Sequence, residues 1–219
     1  VGFLISQFNK SLILDYDFAV AGATIDNTLV PAYLSTVPSY DQQVSQFLSL
    51  ANKTEWKSDN TLFTVWFGIN DISRGYNAST WAEFSHVLVD RYFNISQTLY
   101  DNGARNFLFM NVPPIQRTPE ILAENATAQA TTAYAVSSYN RLLSEGAKRF
   151  HQHNKDATAI LFDTTPSFDK ALDDPTAYGA PDATCYSGNG VSCLWWNDFH
   201  PGQAIHKLVA GAVADVTGI

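Results

Sequence analysis

Four short segments, each apolar and rich in β-branched or aromatic residues, constrain this chain more than anything else in it. They are residues 12–20 (Leu-Ile-Leu-Asp-Tyr-Asp-Phe-Ala-Val), 61–67 (Thr-Leu-Phe-Thr-Val-Trp-Phe), 106–112 (Asn-Phe-Leu-Phe-Met-Asn-Val) and 157–163 (Ala-Thr-Ala-Ile-Leu-Phe-Asp). Short runs without strict polar alternation suit strands buried on both faces, as in parallel sheets whose crossovers are helices. Helical patterns do separate them. Val44, Phe47, Leu48 and Ala51 share one face, and Trp81, Phe84, Val87, Leu88, Ile95 and Leu99 share the next. The second pattern opens with Thr80 and Glu83 at capping-box spacing and stops at Gly103. A short helix is expected at 118–124, a long one over about 131–153, and a last one after Pro201 that buries Ile205, Leu208, Val209, Ala212, Val213 and Val216. Strand and helix alternate throughout, so the fold class is α/β, a three-layer α/β/α sandwich around a parallel sheet. With 219 residues and 46% hydrophobic content, residues 1–219 read as one domain with one core.

Charge and sequons narrow the setting. A formal net charge of -8 without a Lys/Arg cluster argues against nucleic-acid partners and anionic membranes. No run of eighteen apolar residues exists, and the start does not resemble a signal peptide, so Val1 is expected to be an interior point of a longer precursor. Five Asn-x-Ser/Thr sequons, at Asn9, Asn52, Asn77, Asn94 and Asn125, point to secretion from a eukaryote. Cys185 and Cys193 lie in a Gly/Ser-rich stretch and suit a disulfide closing a short loop, two free thiols being the alternative.

In open α/β sheets, working residues gather in loops at the carboxyl ends of strands. Three such places stand out: Ala19-Val20-Ala21-Gly22-Ala23-Thr24, Gly68-Ile69-Asn70-Asp71, and Trp195-Trp196-Asn197-Asp198-Phe199-His200-Pro201-Gly202 before the last helix. Their order resembles the glycine, Gly-x-Asn-Asp and Asp-x-x-His-Pro blocks of SGNH (GDSL-like) hydrolases. Trp66 to Asp71, Asn111-Val112-Pro113-Pro114, Tyr139-Asn140-x-x-Leu143 and Pro175-x-x-Tyr178-Gly179 extend the likeness to fungal GDSL-type acetylesterases of carbohydrate esterase family sixteen. The resemblance covers essentially the whole chain. It implies a flavodoxin-like strand order, 2-1-3-4-5, and hydrolysis of acetyl esters of sugars or short xylo-oligosaccharides with no metal or organic cofactor.

Ester hydrolysis by this route needs a nucleophile, a base and donors for the oxyanion. His200 is the candidate base and later acid, because imidazole titrates near neutrality. Asn70, through its side-chain amide, and Gly22, through its backbone N–H, hold the oxyanion-hole positions, with Asp71 in a supporting hydrogen-bond role. Two departures follow. The Gly-Asp-Ser block with the nucleophile is absent, and with it the strand that the implied order makes central, so an N-terminal fragment of the same precursor is expected to supply both. The position three before the histidine holds Asn197 where the pattern has Asp; Asn197 is expected to orient the ring, with the adjacent Asp198 as the alternative.

Trp195 and Trp196 read either as a sugar platform or as core residues. His151 and His153 lack the spacing of a metal pair, and no metal site is expected. The rival readings are a non-catalytic secreted carbohydrate-binding relative and a lipase acting on longer acyl chains.

Overall fold

The computed structural model describes residues 1–77 and 79–219, so the sequon at Asn77 has its middle residue outside the described residues. The chain groups into two compact units, one of residues 18–112 with 134–162, the other of residues 1–17, 113–133 and 163–219.

The first unit holds a parallel sheet of β1 (Leu62–Val65), β2 (Asn106–Met110) and β3 (Thr158–Phe162), in that spatial order. Leu62 stands beside Asn106, and Asn106 beside Thr158. Three of the four expected strands are therefore present, each within two or three residues of its sequence-derived bounds. β2 is the middle strand and is buried on both sides of its pleat, Phe107 and Phe109 on one, Leu108 and Met110 on the other. An α/β chain with a parallel sheet and flanking helices is the result.

Helices α1 (Tyr40–Leu50), α2 (Ile69–Gly75), α3 (Trp81–Asp101) and the later part of α5 (Ala126–His153) belong to this unit. Rings from α3 and α5 close on β2: Phe93 lies 5.1 Å from Phe109, and Phe150 lies 5.1 Å from Phe107. A Cβ on Gly146 of α5 would stand 2.2 Å from the Phe93 ring, so only glycine lets the two helices approach this closely. The buried Tyr92 hydroxyl donates to Val65 O, tying α3 to the end of β1. Gly103 ends the α3 region in a left-handed conformation, as its sequence position suggests. The capping box at Thr80 and Glu83 does not form. Trp81 N bonds back to Asn77 O, and Thr80 takes a near-helical ψ that turns its hydroxyl from the capping position.

The second unit carries α4 (Pro119–Leu122), α6 (Thr165–Asp173) and α7 (Gln203–Thr217). Arg117 donates to both Asp169 and Asp173 of α6, 2.7 Å each. Phe8, in a helical turn at Leu4–Phe8, packs on Gly211 of α7.

One expectation fails outright. Residues 12–20 form no strand, and Leu12, Leu14 and Val20 are exposed. A strand exists only against a neighbour, and among the described residues this segment does not join the sheet of β1, β2 and β3. Among the described residues β1 pairs only with β2, and no strand lies along its other edge.

Candidate active site

The first group of site residues is built where β1 runs into α2. Gly68 caps α2 with φ +119°, and a Cβ there would lie 2.6 Å from the ring of buried Tyr139, whose hydroxyl donates to Phe67 O. Glycine thus permits a sharp turn under an aromatic ring. The first turn of α2 then clips the 22–25 loop at two successive points. Asn70 Nδ2 donates to Ala23 O at 2.9 Å, and Ile25 N donates to Asp71 Oδ1 at 3.0 Å. A primary amide has two N–H groups, so this bond leaves Asn70 one donor for a ligand. Gly22 turns the loop with φ +80°, and a Cβ there would stand 2.5 Å from the Tyr33 ring.

Asp71 is fully buried, and its Oδ2 has no hydrogen-bond partner among the described residues. Burial pushes its carboxyl up to about 7, with the charge of Asp26 adding to the rise and the backbone N–H groups of Ile25, Asp71 and Gly68 opposing it. Its Oδ1 holds the 22–25 loop through Ile25 N.

The second group lies in the stretch before α7. Asn197 Oδ1 accepts from Phe199 N at 3.0 Å, from His200 N at 2.7 Å, and meets His200 Nδ1 at 3.0 Å. Two backbone N–H groups converge on that atom, so it is the amide oxygen and His200 Nδ1 must carry the proton. Nε2 is left as the acceptor, which is the tautomer a general base needs. Asp198 is exposed, its backbone oxygen accepts from Glu120 N, and its carboxylate makes no bond to His200 among the described residues. The contact to the ring therefore falls to Asn197.

Backbone bonds knit this loop tightly. Trp196 N donates to His200 O, Gly202 N to Leu194 O and Gln203 N to Gly190 O. A Cβ on Gly202 would come within 3.1 Å of three carbonyl oxygens, so the residue after Pro201 has no room for a side chain. Cys185 and Cys193 form the expected disulfide.

The two tryptophans part company. Trp195 is 1% exposed, packs against Phe168 and donates Nε1 to Ala183 O, which makes it a core residue and corrects its candidacy for substrate. Trp196 is 51% exposed, with its ring 6.2 Å from that of His200. Of the sequon asparagines, Asn52, Asn77, Asn94 and Asn125 are exposed and Asn9 is half-buried. Asn125 also accepts from Ala128 N, starting α5 earlier than its apolar pattern suggests. Among the described residues no three His, Cys, Asp or Glu side chains are placed to hold a metal ion.

Asn140 was part of a sequence block without an assigned role. It donates to Val112 O and accepts from Val112 N, continuing the β2 ladder by a side chain and fixing where the chain leaves the sheet. A lone Asn in a helix pattern gives no such signal; only its pairing with Asn111-Val112 does.

Residues 2–213 match the family described as GDSL-like lipase/acylhydrolase. Over 220 residues, the chain is 48% identical to an acetylesterase of Thermothelomyces thermophilus, covering 98% of this chain and 73% of that protein. It is 24% identical to the thermolabile hemolysin of Vibrio parahaemolyticus, 89% of this chain matching 49% of that protein, about half its length. Among solved structures, an acetylxylan esterase of Geobacillus stearothermophilus aligns at 19% identity and a TM-score of 0.43, over 80% of this chain and 68% of the other.

Proposed function

The chain belongs to the GDSL-like lipase/acylhydrolase family and is a carboxylic ester hydrolase, and from that premise we propose that it is a secreted fungal acetylesterase that removes acetyl groups from sugars or xylo-oligosaccharides. The observation that carries the mechanism is the bond between Asn197 Oδ1 and His200 Nδ1, which leaves Nε2 ready to take a proton. A serine hydroxyl attacks the acetyl carbonyl while His200 Nε2 accepts its proton. By the pattern of the family, the N–H groups of Gly22 and Asn70 would receive the oxyanion, and His200 would return the proton to the sugar oxygen as the C–O bond breaks. Water then attacks the acetyl-serine, again through His200, releasing acetate.

The serine comes from a segment outside these 219 residues that pairs with the open edge of β1. Two features support this: among the described residues β1 pairs on one side only, and the buried Asp71 Oδ2 meets no donor. The disulfide and the exposed sequons support secretion, and likeness to the Thermothelomyces acetylesterase supports both the fungal source and the acetyl substrate.

The test is labelling of the active secreted enzyme with a fluorophosphonate, followed by peptide mapping and by p-nitrophenyl acetate assay. The reading requires complete inhibition with one labelled serine lying outside the present sequence. Turnover unaffected by the reagent, or an intact mass equal to these residues plus glycans in active material, overturns it.

A further inference from the structure

Trp196 combines features that its neighbours lack. It is large, half exposed and yet fixed at both ends, its backbone N–H donating to His200 O and its indole Nε1 to Gly188 O at 2.9 Å. With the polar edge of the indole engaged, what it offers to solvent is an apolar π surface. The ring stands edge-on to the imidazole of His200, at 6.2 Å and 79°.

Chemistry decides which half of an ester lies there. In the mechanism above, the imidazole that takes the serine proton delivers it to the leaving alcohol, so the alcohol oxygen sits against His200 and a group beside the imidazole contacts the alcohol rather than the acyl chain. A pyranose has an apolar C–H face and polar edges, which matches an indole surface held at its edge by the bond from Nε1 to Gly188 O. We propose that Trp196 is the stacking platform for the sugar ring that carries the acetyl group, and so the residue that makes the enzyme prefer sugar esters to esters of small alcohols. This inference rests on the esterase reading and adds the alcohol specificity of the site.

The experiment measures kcat and KM of the complete enzyme on monoacetylated xylobiose and on ethyl acetate, for wild type, Trp196→Ala and Trp196→Phe. Loss of one well-placed ring contact corresponds to about tenfold in affinity. In Trp196→Ala, the ratio of kcat/KM for the sugar ester to that for ethyl acetate therefore falls about tenfold, mostly through KM. Trp196→Phe recovers most of that ratio, and the acidic limb of the pH profile stays in place. An unchanged ratio, or equal losses on both esters with a displaced limb, overturns the platform role, the latter showing that Trp196 only positions His200. A wild-type enzyme that hydrolyses neither ester sinks the esterase reading itself.

Discussion

Replacing Asn197 by Asp is expected to make the enzyme faster. The three N–H groups that meet Oδ1 stand 2.7 to 3.0 Å away, and a carboxylate of the same shape accepts all three. What changes is the charge facing the imidazole when it becomes imidazolium. Hydrogen bonds to charged groups contribute about 1.5–3 kcal/mol and neutral ones about 0.5–1.5 kcal/mol, so the gain is about 1.4 kcal/mol. That corresponds to about tenfold in kcat/KM.

Asn197→Ala works in the opposite direction. The ring loses one hydrogen bond of about 1 kcal/mol and gains rotamer freedom of about 1 kcal/mol, a fall of about thirtyfold in kcat/KM. Two loop N–H groups lose their acceptor as well, which lowers stability by about 2 kcal/mol. Stopped-flow assay on p-nitrophenyl acetate across pH 4 to 9, with urea unfolding alongside, reads every term. A slower Asn197→Asp enzyme refutes the reasoning. An inert Asn197→Ala beside a crippled Asp198→Ala would transfer the orienting role to Asp198.

Asn70→Ala should lower kcat by about 10²–10³-fold with little change in KM, since an oxyanion donor acts in the transition state; steady-state kinetics on an acetylated sugar reads the split. Gly68→Ala combines a φ of +119° with a Cβ 2.6 Å from Tyr139, and should cost at least about 2 kcal/mol in urea unfolding while displacing Asn70. Asp71, raised from 3.8 to about 7 by burial, holds a proton in the folded chain that the unfolded chain releases. The contribution of Asp71 to stability is therefore greatest at acid pH and falls as pH rises from about 4 to about 7, by about 4 kcal/mol in order of magnitude, and Asp71→Asn should remove that component from the pH dependence of thermal melts.

The parts of the fold that rest on contiguous apolar runs were legible in the sequence: β1, β2, β3, α3 and α7 stand close to where periodicity puts them. The segment 12–20 shows the limit of that signal, because its composition is that of a strand while strand formation depends on a partner elsewhere. Helix α6 escaped notice because it is nine residues long and follows β3 directly. In the site, glycine and histidine at strand and helix ends were readable by residue type. The clamp of α2 on the 22–25 loop was not, because its hydrogen bonds join positions 46 and 47 residues apart. Nor could composition separate Trp195 from Trp196, adjacent residues with opposite exposure.

The Cys185–Cys193 bond bears on the loop that holds Trp196. It ties off the loop whose Gly188 oxygen holds Trp196 and whose Gly190 oxygen holds the first residue of α7, while the bond between Asn197 and His200 lies beyond the clasp. On the role proposed for Trp196, a thiol reductant that opened this bond would blunt the choice between alcohols before it blunted turnover.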